Sequence, residues 1–259
     1  MVQRLCLVGV FALFSSANAG TLTYSNVSGS AFTFSQIVEV SAQNTFLGGD
    51  GYYYPPTTPT LVAFQDSNGF DYIKFSPGAL LTRSSSSPGP WPLSGSTKLS
   101  MMIGSSNSVA IPGAKIRLEG TARVREPQTN STASFFLDTV VYLEVFGLTG
   151  TPQVPSTLSK TIQLNSFTHE DPGFVNWVVE WQSTNLESLF SDPVFNSPTM
   201  KISKLSLSVN PFFELTTQNQ GYSEFYVNQL QVAVIPEPNT STLLLLGLIS
   251  VLHGRRRRA

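Results

Sequence analysis

From residue 115 onward the apolar side chains recur at every second position in several stretches, the period of a strand with one buried face. In Lys115–Arg125, Ile116, Leu118, Ala122 and Val124 share one face, while Lys115, Arg117, Glu119, Thr121, Arg123 and Arg125 share the other. Gly120 keeps the parity, so the segment reads as one long strand with a bend or bulge at the glycine. Ala133–Phe146 sets Ala133, Phe135, Leu137, Val141, Leu143 and Val145 against Ser134, Asp138, Tyr142 and Glu144. Leu205, Leu207 and Val209 alternate with Ser206, Ser208 and Asn210, and Tyr222–Ile235 makes a last strand.

Turn chemistry separates these runs. Leu61–Gln65 and Phe70–Phe75 flank Asp66-Ser67-Asn68-Gly69, whose Asn-Gly pair signals a hairpin. Glu170-Asp171-Pro172-Gly173 forms a turn between Thr161–Thr168 and Phe174–Gln182. Residues 84–97, rich in Ser, Pro and Gly, read as a long surface loop carrying Trp91, and Asn185–Phe190 as a short helical turn. About eight to ten short strands at this spacing predict an all-β fold, a two-sheet β-sandwich of jelly-roll-like kind. A single sheet would leave its second apolar face wet, and two packed sheets cover both inner faces.

The two ends follow other rules. Arg4 precedes an apolar run, Leu5–Phe14, and Ser15, Ser16, Ala17, Asn18 and Ala19 supply an Ala-x-Ala pattern. This reads as a helical secretory signal peptide cut by signal peptidase after Ala19, with an uncleaved anchor as the alternative. The apolar run, about ten residues, is short for a hydrocarbon span of about 30 Å. Cys6, the chain's single cysteine, would leave with the signal, so the mature chain would form no disulfide.

At the other end Val234-Ile235-Pro236-Glu237-Pro238 is followed by Asn239–Thr242, an apolar stretch Leu243–Leu252, and then Arg255, Arg256, Arg257 and Arg258. This order of three unlike elements resembles the PEP-CTERM sorting signal. The resemblance covers about the last two dozen residues. It implies an exosortase-type membrane protease as partner and Pro236, Glu237 and Pro238 as the motif it reads. The arginine cluster beside an apolar helix stays on the cytoplasmic side, which leaves Pro236 and all before it outside. At about 1.5 Å per residue, Leu243–Leu252 reaches some 15 Å, which suits a transient stop better than a lasting anchor. A plain tail anchor behind a proline linker is the competing reading. The expected organisation is therefore a signal peptide over 1–19, one β-sandwich domain over 20–235, and a helical sorting segment over 236–259. The protein would cross the inner membrane, be held transiently by its C-terminal helix, and end at the cell surface, in the outer envelope or outside the cell.

Composition narrows what the body does. Residues 20–235 carry fifteen carboxylates against ten lysines and arginines, about −5. A mildly acidic body argues against general nucleic-acid binding, which rests on neutralising phosphates. No Gly-x-Ser-x-Gly, His-Glu-x-x-His or Gly-x-x-x-x-Gly-Lys pattern occurs, and His169 is the only histidine of the body. Neither a cofactor nor a metal is therefore expected. His169, Glu170 and Asp171 read as a solvated turn. Asp66, Asn68 and Asp71, or Gly48-Gly49-Asp50-Gly51, offer calcium an incomplete oxygen set. Glu144 and Glu180 are the best candidates for a glycosidase acid pair, which must face each other across one groove. Tyr52, Tyr53, Tyr54 and Trp91, in loop-rich stretches, are candidate glycan-stacking rings, whereas Trp177 and Trp181 share a strand face with Val179 and read as core. The basic face Lys115, Arg117, Arg123 and Arg125 either meets an anionic polysaccharide or is balanced by Glu119 and neighbouring acids. The leading expectation is a non-enzymatic surface, secreted or matrix protein. A polysaccharide-binding, lectin-like or polysaccharide-active sandwich is the alternative.

Overall fold

A computed structural model describes residues 18–29, 31–44, 50–54, 62–65, 71–75, 80–84, 91–105, 109–126, 128–149, 154 and 158–235. The strands in chain order are β1 (Asn18–Tyr24), β2 (Val27–Ser28), β3 (Phe32–Asn44), β4 (Asp50–Tyr54) and β5 (Val62–Gln65). Next come β6 (Asp71–Phe75), β7 (Leu80–Ser84), β8 (Trp91–Ser105), β9 (Gly113–Arg125) and β10 (Thr132–Leu148). The chain continues through β11 (Leu158–Gln163), β12 (Phe167–His169), β13 (Gly173–Ser183), β14 (Ile202–Gln218) and β15 (Tyr222–Ile235).

They form two antiparallel sheets, as the period-two pattern requires. The first has the order β1-β3-β8-β14-β10-β11, with β2 beside β3 and β12 beside β10. The second has the order β13-β9-β15-β6-β5, with β7 beside β15 and β4 beside β7. The chain winds between sheets rather than finishing one before starting the other. β8, β10 and β14 belong to the first sheet, and β9, β13 and β15 to the second.

The alternation seen in the sequence is the burial pattern. In β9 the inward row Ala114, Ile116, Leu118, Ala122 and Val124 is at most 1% exposed, and in β10 Phe135, Leu137, Val141 and Leu143 are buried with it. Between the sheets lies an aromatic stack. Phe225 of β15 packs on Phe135 of β10 with ring centroids 4.4 Å apart, on Trp177 of β13 at 5.1 Å and on Phe213 of β14 at 5.3 Å. Four strands from both sheets thus meet at one ring; Trp177 and Val179 are in the core as expected, while Trp181 of the same face is only partly buried against it.

Several expectations are corrected. Among the described residues the strands number fifteen rather than eight to ten, and β10 and β14 each run 17 residues. Residues 91–97 are not loop. They open β8, whose backbone pairs with β14 on one side and β3 on the other, so a run of small residues is held by its neighbours' ladders. Tyr52, Tyr53 and Tyr54 lie in a strand as well, β4 paired to β7, consistent with tyrosine's preference for pleated surfaces. β9 passes Gly120 without a bulge. The register shift lies on its partner, between Val227 and Gln229 of β15. Gly120 is needed for another reason: a Cβ there would stand 1.9 Å from the Tyr226 carbonyl oxygen and 2.3 Å from the Trp177 ring.

The strands expected on either side of Asn68-Gly69 pair antiparallel, β5 with β6 and Gln65 opposite Asp71, while the Asn-Gly turn itself lies outside the described residues. The turn 170–172 is present too, but it links β12 of the first sheet to β13 of the second. The short helical turn is a 3-10 turn at Glu187–Leu189, and a second follows at Pro193–Asn196. Among the described residues no helix is long and apolar enough to cross a membrane. Ala17 and residues 236–259, including Pro236, Glu237, Pro238 and Arg255–Arg258, lie outside the described residues, whereas Ala19 falls in β1.

Candidate functional site

β9, β13 and β15 alternate inward and outward, so their polar residues collect on the outer face of the second sheet. Register fixes the rows. Phe174 of β13 lies beside Arg123 of β9, which lies beside Glu224 of β15. The same row continues through Thr82 of β7 to Tyr52 of β4. The next row runs Asn176, Thr121, Tyr226, Leu80, Tyr54. Arg125 and Tyr222 begin a third, which reaches Ser84 and Asp50.

On β15, Tyr222, Glu224 and Tyr226 follow at i, i+2 and i+4 and so share this face. The Tyr226 hydroxyl donates to Glu224 Oε1 at 2.8 Å. Partial burial, and then the Glu224 carboxylate, push the Tyr226 phenol up to about 12. Tyr222 is raised by the same two causes in the same order, with the Arg123 charge opposing. The outcome is two neutral phenol rings braced around one carboxylate, beside a guanidinium on the neighbouring strand.

The basic row of β9 divides in two. Lys115 Nζ is 2.9 Å from Glu180 Oε1, and Arg117 reaches Glu119 at 3.0 Å and Glu180 at 3.3 Å. The hydrogen bond from Lys115, followed by the charges of Lys115 and Arg117, holds the Glu180 carboxyl below its usual range. Arg117 is raised above its ordinary value, chiefly by its hydrogen bond to Glu119. That half of the row is balanced, as one of the two sequence readings holds. Among the described residues Arg123 and Arg125 form no ion pair, so the free positive charge sits at the Tyr222–Tyr226 end.

The other candidates separate. Tyr52 and Tyr54 stand in register with Glu224 and Tyr226 through β7, whereas Tyr53 is out of phase, in line with Leu81 and the core residue Phe225. Trp91 belongs to the other sheet, paired with Thr217. Glu144 alternates with the buried Leu143 and Val145 of β10, and Glu180 with the buried Val179 of β13. They therefore project from opposite outer faces of the sandwich and cannot flank one glycosidic bond, which corrects their candidacy as a pair.

Asp66 and Asn68 lie outside the described residues, and Asp71 is used structurally. It is 1% exposed, and its Oδ2 accepts from the backbone N–H of Ala31 at 2.7 Å and of Phe32 at 2.9 Å. This ties β6 of one sheet to the start of β3 in the other. Glu39, equally buried, accepts from the Tyr24 hydroxyl at 2.7 Å, and burial, with Glu39 beside it, raises that phenol. Glu170 and Asp171 are exposed beside His169 in the inter-sheet turn, and among the described residues no three ligating side chains gather around a metal position.

An open depression of about 460 Å³ is lined by residues of the 185–201 segment, among them Glu187, Asp192 and Lys201. Its acids also serve the backbone. Glu187 Oε1 accepts from Ile202 N at 3.4 Å, and Asp192 Oδ1 caps the second 3-10 turn through Val194 N at 2.9 Å.

No family model and no curated protein matches the chain. Among solved structures, the N-terminal CBM22 tandem domain from Paenibacillus barcinonensis Xyn10C aligns at 12% identity and a TM-score of 0.21, over 74% of this chain and 49% of that one. The chain thus spans about half the length of that structure. A cowpea mosaic virus empty particle aligns at 14% identity and 0.21, over 69% and 85% of the two chains. A xylan-binding module, CBM15, aligns at 7% identity and 0.17, over 77% and 99%. At these scores the likeness adds nothing to the strand pairing as evidence of fold, and nothing on function.

The Tyr222-Glu224-Tyr226 row was within reach of the sequence. Tyr222–Ile235 reads as a strand, and its first half alternates Tyr, Glu, Tyr with Ser223, Phe225 and Val227. A polar aromatic face was therefore written beside an apolar one.

Proposed function

We propose that this chain is an exported, non-enzymatic surface or matrix protein, sorted and trimmed through its C-terminal Pro236-Glu237-Pro238 motif by an exosortase-type membrane protease. The observation that carries the reading is the order Pro-Glu-Pro, apolar segment Leu243–Leu252, arginine cluster Arg255–Arg258, placed directly behind the last residue of β15. In this reading residues 1–19 are removed by signal peptidase, residues 20–235 form the jelly-roll-like body, and the apolar helix Leu243–Leu252 holds the chain in the inner membrane until cleavage, with Arg255–Arg258 on the cytoplasmic side. Pro236 and Pro238 cannot extend a ladder, so the strand stops there and the motif stays open to a protease. Glu237→Ala should abolish tail removal while export continues. Intact mass of the product from a host with a working exosortase reads this directly. A wild-type product that keeps Arg255–Arg258 in such a host would overturn the proposal and leave a plain tail anchor.

A second reading concerns the body: it binds extracellular polysaccharide through the outer face of the second sheet. The braced rings of Tyr222 and Tyr226, with the unpaired guanidiniums of Arg123 and Arg125, favour it. Aromatic faces stack on sugar rings and guanidiniums bind uronate carboxylates. A glycan array with the exported protein should show retention of acidic glycans that is lost in Tyr226→Ala and in Arg123→Ser. Retention untouched by both substitutions would remove this face from consideration.

A further inference from the structure

A strand at the border of a sheet leaves every second N–H and C=O without a ladder partner. Folded proteins blunt such borders with short strands, prolines, lysines or bulges. The borders here follow that rule with one exception. β5 has four residues, β4 five, β11 six with Lys160 among them, and β1 seven. β13 has eleven, Gly173 to Ser183, and contains no proline and no lysine. Its single charge, Glu180, is neutralised from within the sheet by Lys115 and Arg117. Among the described residues it pairs with β9 alone.

The exposure of its side chains points the same way. Phe174 is 64% and Val178 51% exposed on the outer face, two of the most open apolar side chains among the described residues. On the inner face Trp177 and Val179 are buried, but Val175 and Trp181 are only half-buried. The two residues left partly open stand three positions to either side of Val178. An antiparallel two-fold through Val178 therefore sets Val175 of one copy opposite Trp181 of the other, and does so twice. The same register puts Trp177 opposite Val179, Asn176 opposite Glu180 and Val178 opposite itself. It uses all eleven residues and stops at Pro172, which has no N–H to give.

We infer that β13 is the seam of a homodimer: two copies join antiparallel about Val178, and the second sheet becomes one continuous sheet across both. A second copy suits this border better than a partner of other sequence, because the apolar pairs complete themselves only when the strand meets itself. An eleven-residue strand is about half of one side of a standard interface, so the dimer should dissociate on dilution.

Cysteine placement tests the register. The chain's only cysteine is Cys6, so Val178→Cys in a Cys6→Ser background carries one thiol, at the two-fold. Directly opposed residues in antiparallel strands have Cα atoms about 4.5–5.5 Å apart, within disulfide reach. Under mild oxidation V178C should run as a covalent dimer. F174C, whose symmetry mate lies about 27 Å away at 3.4 Å per residue, should not.

Sedimentation of the exported protein should show twice the monomer mass at high concentration. Val178→Lys, which places two like charges on the axis at an already exposed position, should halve that mass with circular dichroism and melting unchanged. A wild-type monomer throughout the series overturns the inference. So does a dimer that V178K leaves intact, or F174C cross-linking as readily as V178C. A dimer present only while residues 236–259 are attached would make the tail the occupant and equally refute the β13 seam.

Discussion

Replacing Gly120 with alanine adds a single methyl group where β9 and β15 and the Trp177 ring leave no room for it. The new Cβ would lie 1.9 Å from the Tyr226 carbonyl oxygen, and 2.3 and 2.6 Å from two carbons of the Trp177 ring. Carbon atoms in contact prefer about 3.5–4.0 Å, so something must move by more than 1 Å. The carbonyl belongs to β15, which is held between β9 on one side and β6 and β7 on the other. Shifting it breaks ladder hydrogen bonds worth about 1 kcal/mol each. The ring is 2% exposed and stacked on Phe225, so moving it opens the aromatic stack, at about 0.5–1.5 kcal/mol per ring pair. Overpacking itself costs about 1–3 kcal/mol, and together these give about 3–5 kcal/mol. For a chain of this size that lowers Tm by roughly 6–20 °C. The matched control is Gly104→Ala, also in a strand, where an added Cβ meets nothing within 4 Å. It should be neutral or slightly stabilising, because alanine restricts the unfolded chain. Thermal and urea unfolding of the two variants beside wild type decides the matter. G120A melting with wild type, or G104A falling as far, would refute the crowding argument.

Two further outcomes follow from the buried and braced polar groups. Asp71→Ala removes the acceptor of the Ala31 and Phe32 N–H groups and should destabilise by about 3 kcal/mol, with Asp71→Asn milder because an amide oxygen in the place of Oδ2 can still accept both bonds, as neutral rather than charge-assisted ones. The Tyr226 phenol, ordinarily near 10 and here pushed up to about 12, keeps its proton in the folded state after the unfolded chain has released it. Stability should therefore fall as pH rises from about 10 to about 12, and Tyr226→Phe should make that limb shallower in alkaline denaturation curves, the part that remains belonging to the likewise raised Tyr24 and Tyr222.

How far the fold could be read depended on whether a strand was amphipathic. β9 carries an apolar inner row and a charged or hydroxylic outer row and was legible on both faces, whereas β10 sets Phe136, Val140 and Phe146 among the outer Ser134, Asp138, Tyr142 and Glu144 and buries Thr139, so there only the inner apolar row could be read. β8 opens with Trp91, Pro92, Leu93, Ser94 and Gly95, whose composition matches a loop. Only the neighbouring strands β3 and β14 make it a strand. β14 was legible as far as Asn210, where Pro211 signals a stop. The strand continues because its ladder with β8 lapses between Val209 and Phe212, so the missing N–H falls where no bond is required. The candidate site was half visible for a related reason. Tyr52, Tyr53 and Tyr54 are conspicuous as a run, but a strand can give one face to only two of the three. Which residues join Tyr52 and Tyr54 depends on β7 standing between β4 and β15, a non-local pairing that no local pattern carries.

The placing of the last strand ties folding to the proposed sorting. β15 is not an added edge. It pairs with β9 along its length and with β7 and β6 on the other side, and it supplies Phe225, the ring on which Phe135, Phe213 and Trp177 converge. Val232, Val234 and Ile235, its final apolar residues, are buried. The second sheet therefore cannot close, nor the first cover its inner face, until residue 235 has joined the fold. In the proposed topology residue 235 leaves the membrane last, because the segment behind it is the one the arginines hold back. Until then an incomplete sandwich exposes apolar strands that would associate with those of other copies. A tail that retains the chain until β15 is seated, and a motif opening only at the first residue after it, would place cleavage after folding rather than before. On that proposal the two prolines would act twice: without N–H groups to give they would end the strand at a fixed residue, and they would keep the protease site outside the sheet.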